Sequence, residues 1–226
     1  MKWISWDKYS DDIEQRSTYR HEFSARLILQ HNPKRVLDVG CGIGVLTAFM
    51  PSDVFSVGIE NTQKSAMISV ANGFRTVIVA DASKLPFRNM SFDAVSMLEV
   101  LEHIPINREL ICLNEIYRVM SVDSIITLSV PYGSWKSKIL DPGWMFGHRH
   151  YFESDLEKLF LYAGFVLKET QIKGGFWELL AMLNLYVCKW IFGRAMLGQP
   201  LFERKRKLEY EIDNQGFATL FVVGKK

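Results

Sequence analysis

The chain is predicted to form an α/β domain on a doubly wound, mostly parallel sheet, and three observations predict it. Residues 36–44 read VLDVGCGIG, an apolar run that breaks into alternate glycines and passes into the helix-compatible VLTAF. Further short apolar runs at 54–60, 76–80, 92–97 and 125–130 alternate with amphipathic segments, and the first three end on or beside Glu60, Asp81 and Glu99. The 226 residues, 48% hydrophobic and 23% charged, suffice for one well-filled core and exclude a disordered chain.

Ahead of the glycine turn, Tyr9, Ile13, Tyr19, Phe23, Leu27 and Ile28 recur at roughly helical spacing. They predict one or two amphipathic helices ending near Asn32-Pro33, a helical cap over residues 1–33. In the turn itself, alternate glycines let the backbone take positive φ and let a ligand approach where a Cβ would collide. The helix start that follows offers unpaired N–H groups. A dinucleotide fingerprint, G-x-G-x-x-G, would need glycine where Val45 stands. Asp38, two residues before Gly40, would repel a pyrophosphate but could accept hydrogen bonds from an amino group. The ligand is therefore expected to be cationic at this end, as the methionyl part of S-adenosylmethionine (SAM) is.

V-L-D-V-G-C-G-x-G resembles motif I of the class I SAM-dependent methyltransferases. The resemblance implies a Rossmann-like methyltransferase fold with seven strands, the last antiparallel and inserted beside its neighbours. It also implies that Asp38, Gly40, Cys41, Gly42 and Gly44 form one wall of a SAM site, with S-adenosylhomocysteine (SAH) as the product. A helix in the place of residues 7–31 often covers the cofactor in that family, so Tyr19 and Arg20 become candidates for pocket contacts. Glu60 ends the second run twenty residues beyond Gly40, where an acid can accept both hydroxyls of a ribose, and Asn61 follows it in the pocket wall. Residues 62–72 are predicted as the next helix, stopping at Gly73.

The third strand, 76–80, delivers Asp81. Asp81-Ala82, Leu85-Pro86-Phe87 and Ser91-Phe92-Asp93 resemble the D-A-x-x-L-P-F-x-x-x-S-F-D-x-V pattern of the subgroup that includes the ubiquinone and menaquinone biosynthesis methyltransferases. By that resemblance Asp81 bonds the adenine amino group, and Ala82 and Leu85 line the ring site. After the fourth strand, residues 98–104 read LEVLEHI and resemble the segment that passes beneath the sulfonium and methyl group. This puts Glu99 at the cofactor. Either Glu99 or His103 can be a proton acceptor, although for His103 the favoured reading is a structural role holding the loop.

Residues 108–120 are an amphipathic helix. Relatives end it with R-V-L-x-P-G-G; here RVMSVDS stands in that place, so the entry to the fifth strand, 125–130, departs from the pattern. Pro131-Tyr132-Gly133 closes that strand and opens a loop to His150 that holds Trp135, Trp144, Phe146, His148 and Arg149, suited to substrate contact. His150 and Tyr132 are the acceptor-side candidates, with His103. The H-x-H pair has no third ligand in the sequence, so no metal is expected. A helix over 154–162, an A-G-F turn and a sixth strand at 166–172 complete a core spanning 34–172.

Residues 173–216 are an insertion where many relatives have a short hairpin, before a final strand at 217–223. Within it, residues 176–192 read FWELLAMLNLYVCKWIF and are predicted as one apolar helix. It admits three readings: a buried or homodimer-forming helix, a lid over a greasy pocket, or an interfacial membrane helix. The run Arg204-Lys205-Arg206-Lys207 reads as a solvated basic turn, with contact to anionic lipid as the alternative.

A net charge of +2 gives no argument for nucleic acid. Three cysteines, far apart and without C-x-x-C, imply a reducing compartment, and MKWISWDKYSDD lacks the apolar core of a signal peptide, so a cytoplasmic protein is expected, with peripheral membrane contact through 176–207 as an option. The function implied is methyl transfer from SAM to a small-molecule or lipid-like acceptor by a single domain over 1–226. Two alternatives stand beside it. One is a nicotinamide-dependent oxidoreductase, for which Tyr132 and Lys136 form a Tyr-x-x-x-Lys pair; the other is a non-catalytic SAM-fold binding module.

Overall fold

The computed structural model describes residues 19–140, 147–193, 196–211 and 216–226. The strands are β1 (Arg35–Val39), β2 (Phe55–Glu60), β3 (Val77–Val79), β4 (Phe92–Leu98), β5 (Met120–Pro131), β6 (Val166–Lys173) and β7 (Thr219–Lys225). They form one sheet in the order β3-β2-β1-β4-β5-β7-β6. Pairs from β3 to β5 are parallel, and β7 lies antiparallel between β5 and β6. The doubly wound, seven-stranded, mostly parallel sheet with an inserted antiparallel last strand is as expected.

Alternate side chains divide the strands between two cores, as the period of two in a strand requires. In β7, Leu220 and Val222 join the larger core with Leu37, Val39, Val95 and Met97, while Phe221 and Val223 face the other side. Helices α3 (Glu109–Val119) and α5 (Glu153–Ala163) cover the first face through Leu113, Ile116, Leu156 and Phe160, all fully buried. Helix α1 (Tyr19–Leu29) covers the second with Phe23 and Leu27, and its Ser24 hydroxyl meets that of Thr127 at 2.7 Å. The remaining helices are α2 (Gln63–Ala71), α4 (Trp135–Leu140), α6 (Phe176–Phe192) and α7 (Gln199–Glu211).

Four expectations are corrected. The segment after the glycine turn is a 3-10 helix, Val45–Phe49, not the start of an α-helix. Pro51 forces Met50 into an extended conformation, so only five residues are left for helix. The third strand is shorter than 76–80, at the sheet edge. The fifth begins at Met120 directly from α3, with Asp123 at φ 63 in an irregular stretch that replaces the missing Pro-Gly-Gly turn. There Lys226 Nζ donates to the Tyr117 and Met120 carbonyls, at 2.6 and 2.8 Å, doing at the end of α3 what a glycine cap otherwise does.

The fourth correction is the basic run. Residues 204–207 lie within α7, not in a solvated turn, and Arg206 is buried at 8% exposure. It donates to both Glu178 oxygens, 2.6 Å from Nε and 3.0 Å from Nη2. The insertion is thus a helical hairpin, α6 against α7. The loop expected after Tyr132 contains α4, and Trp144 and Phe146 lie outside the described residues, as do Tyr9 and Ile13. Among the described residues no helix is long and apolar enough to cross a membrane.

Phe160 joins α5 to β7 so closely that a Cβ on Gly224 would stand 2.4 Å from its ring. Phe160→Ala is expected to cost about 3–5 kcal/mol, read by denaturant unfolding. A loss under about 1 kcal/mol would mean that this face of the sheet does not carry the core.

Candidate cofactor and acceptor site

In a parallel sheet every strand delivers its loop to the same edge, and the ligand sits where the strand order reverses. Here the order reverses between β1 and β4. Asp81 follows β3, Glu60 ends β2, Asp38 and the glycine turn end β1, and Glu99 follows β4, so the four acids stand along one edge in that spatial order. Three strand spacings make this row roughly 14 Å long.

The glycine turn is tied to β2, because Gly40 N and Cys41 N both donate to Ile59 O, at 2.8 and 3.0 Å. Gly40 has φ +72, and a Cβ there would stand 2.3 Å from Val100 Cγ2. Gly42 differs: with φ +55 its missing Cβ points at open space, and its N–H donates to Glu60 Oε2 at 2.9 Å. The other Glu60 oxygen accepts from Asn61 N at 2.9 Å, so the carboxylate is held at the mouth of the turn. Cys41 is buried against Ser69 and Gly58, which makes it a packing residue, and burial pushes its thiol pKa up.

Asp38 is 4% exposed, and burial, with Glu60 adding to it, raises its pKa to about 7 while the nearby Ser96 hydroxyl pulls it down. Among the described residues no cation forms a salt bridge with this buried acid, which suits a ligand that brings positive charge. Asp81 is more open. Its Oδ1 accepts from Ser83 N and Oγ at 2.8 and 2.7 Å, and Arg108 lies 3.8 Å from Oδ2, so the Ser83 hydrogen bonds hold its pKa low. Leu85 is buried in the main core and Ala82 packs partly against it. Leu85 N donates to Glu115 Oε2 and Leu85 O accepts from Arg118, which fixes this loop to α3.

Glu99 has φ 55, a conformation that costs a non-glycine residue about 1–3 kcal/mol. Ser129 holds it there: Glu99 N donates to Ser129 O at 3.0 Å, and Ser129 Oγ donates to Glu99 Oε1 at 2.9 Å. Arg20 Nη1 is 3.7 Å from Glu99 Oε2, so the helix-cap candidate does reach this edge. Its neighbour Tyr19 instead packs on Tyr210.

Beside the Leu101–His103 turn, which Arg149 and His148 contact, lies an open cleft of about 900 Å³, lined by Lys138, His148, His150, Tyr151 and their neighbours. Tyr151 pairs with Tyr132 beside the end of β5, Tyr151 N donating to Pro131 O and Gly133 N to Tyr151 O, which sets His150 on the cleft wall. Arg149 is structural: it donates to the carbonyls of Leu101 and Ile104 and to Glu109. The His103 ring packs edge-on against His148, 4.7 Å between centroids, and its pKa is lowered by desolvation, with His148 and Arg149 adding. It is therefore neutral near pH 7, and the same lowering makes it a weak base. Glu102, which sequence reasoning passed over, is buried, and burial with Glu99 beside it raises its pKa. Lys136, the partner a Tyr-x-x-x-Lys pair would need, lies over the Phe217 and Trp135 rings, 5.2 and 5.9 Å from their centroids. No cluster of three metal-ligating side chains occurs among the described residues.

Sheet order, glycine turn and acid row together define the class I SAM-dependent methyltransferase fold, whose cofactor is SAM, and Gly42's open cradle and buried Asp38 fit it. Residues 37–128 match the methyltransferase domain family. The chain is 35% identical over 79 residues to a ubiquinone biosynthesis O-methyltransferase of Bordetella parapertussis, covering 32% of this chain and 33% of that one. It is 32% identical over 123 residues to cycloartenol-C-24-methyltransferase 1 of Oryza sativa, covering 50% and 35%. The chain thus spans about a third of the length of these curated relatives. Among solved structures, the 1,6-didemethyltoxoflavin-N1-methyltransferase of Burkholderia thailandensis superposes with a TM-score of 0.61 at 17% identity, over 95% of this chain and 81% of that one. At that identity the likeness shows the fold alone.

The raised Asp38 pKa sets a sign. A carboxyl whose folded pKa exceeds its unfolded value destabilises the fold as pH rises from near 4 towards 7, and levels off above. Asp38→Asn lacks that loss. Its melting temperature without ligand is expected to exceed that of the wild type by a gap that widens by a few degrees between pH 5 and 7.5. A gap independent of pH in thermal-shift measurements would show that Asp38 does not titrate in this range.

Proposed function

We propose that the protein transfers the methyl group of SAM to a small-molecule or lipid-like acceptor. The observation that carries this reading is the order of the acids along the sheet edge. Asp81, Glu60 and the pair Asp38 and Glu99 stand in that order along the edge, with the open glycine turn in the middle, an order that suits adenine, ribose and methionyl group in turn. Bound SAM supplies an activated methyl on a sulfonium that is already a good leaving group. The chain's own residues have to hold donor and acceptor in line and exclude water, which can account for several kcal/mol of the barrier. Glu60 holds the ribose, Asp81 the adenine amino group, with Asn61, Ala82 and Leu85 around them, and Asp38 faces the cationic amino group.

The acceptor enters by the cleft that carries His150, with Tyr132 bridged to the cleft residue Tyr151, and His103, in contact with the cleft residue His148, takes the proton when the acceptor atom loses one of its own. A lipid-like acceptor is supported by the hairpin tip. Ile191, Phe192, Leu197 and Leu201 are exposed there, and Arg204 and Lys207 are exposed on α7 behind them, an apolar tip backed by cations that suits an anionic bilayer surface.

Asp38→Ala and Glu60→Ala are expected to weaken SAM binding at least tenfold by calorimetry with the fold retained. Unchanged affinity would refute the assigned pocket, and stabilisation by NADH but not by SAH would point to an oxidoreductase. His150→Ala should lower turnover of labelled methyl more than SAM affinity, whereas equal losses would remove it from the acceptor side. SAM binding without transfer to any cell-extract fraction would leave a binding module.

For the tip, flotation with vesicles containing phosphatidylglycerol, but not with zwitterionic vesicles, is expected and should be lost in Ile191→Asp/Phe192→Ser. A concentration-dependent doubling of mass that this variant abolishes, without flotation, would assign the tip to a second copy instead.

A further inference from the structure

Two basic and two acidic side chains from four elements of the chain meet in one cluster. Arg20 comes from α1, Glu99 from the end of β4, Glu178 from α6 and Arg206 from α7. Glu178 and Arg206 are 7% and 8% exposed. Buried charges persist only when matched, and removing one partner leaves the other uncompensated. The matching here is uneven. Arg206 grips Glu178 at 2.6 and 3.0 Å and Glu203 at 3.0 Å. Glu209 accepts from the first backbone N–H groups of α6, at Trp177 and Glu178, so the two helices of the hairpin form one unit.

Arg20 is held less tightly and by both sides. Its Nη2 lies 3.4 Å from Glu178 Oε1 and 3.4 Å from Thr219 Oγ1, and its Nη1 lies 3.7 Å from Glu99 Oε2. One guanidinium is therefore shared between the hairpin and the strained residue at the cofactor edge. Of the contacts described for Glu99, this is the one that leads to the hairpin.

We infer that Arg20 is a positioning residue that links the α6–α7 hairpin to the cofactor site through Glu99, so that cofactor binding and hairpin docking favour one another. The inference rests on the SAM reading of the site. Ser129 already holds Glu99 Oε1; ligand contact fixes the remaining oxygen, Oε2, against Arg20, and an ordered Arg20 completes the counter-charge of Glu178. By reciprocity, a hairpin that docks poorly must weaken cofactor binding by the same factor.

The test is hydrogen exchange of the full-length protein with and without SAH, followed in peptides from 176–192 and 199–211, beside calorimetry of SAH binding. In the wild type, SAH should slow exchange in both helices. In R20Q the slowing should vanish and the Kd for SAH should rise about fivefold or more. A merely structural Arg20 would change basal exchange but not the difference made by SAH. Binding of SAH without slowed exchange in the wild type, or an unchanged Kd or retained slowing in R20Q, overturns the link. Should R20Q fail to fold, E178Q, which cuts the bridge from the other end, is read by the same criteria. Absence of SAH binding in the wild type would instead refute the cofactor reading itself.

Discussion

The approach of Gly40 to Val100 is the constraint on which the site depends. The turn after β1 and the turn after β4 pack so closely that no side chain fits at Gly40. The same turn is tied on its other side to Ile59 O at the end of β2. Three strand ends are thereby locked into one rigid edge, and Asp38, Glu60 and Glu99 inherit fixed positions from it. Preorganisation of this kind lets a ligand bind without first ordering the loop that receives it.

Electrostatics divides the edge into two regimes. Asp81 lies near solvent and is satisfied by Ser83, so it stays ionised at little cost. Asp38 and Glu102 are buried carboxyls whose pKa is raised by desolvation, which Ser96 beside the one and Arg20 and Arg149 near the other only partly counter. Beside them Arg20, Glu178 and Arg206 bring charges of both signs from elements at opposite ends of the chain. The late insertion is consequently no appendage. Its buried ion pair is continuous with the cofactor edge, while its tip carries the exposed apolar residues.

Local patterns made the sheet and the acid row readable in advance. Glycines 40, 42 and 44 have positive φ because alternate glycines permit it, and strand periodicity placed Asp38, Glu60, Asp81 and Glu99 at strand ends. Pro51 was a sufficient signal for the short 3-10 segment, since a residue before proline leaves the helical region. The reading of Arg206 as solvated failed for another reason. A basic run looks alike whether one of its members faces water or a buried acid, and Glu178, the partner, lies 28 residues earlier in an apolar helix.

The sequence by itself determined the fold class and the order of the strands' chemistry, because these follow from local spacing and glycine conformation, and it pointed to the class of donor through its resemblance to methyltransferase motif I. Tertiary structure alone decided which charges meet. The Arg20–Glu178 and Arg149–Glu109 pairs, the edge-on His103–His148 contact and the cleft beside His150 join residues far apart in the chain, and their energies depend on distance and burial that no local pattern encodes.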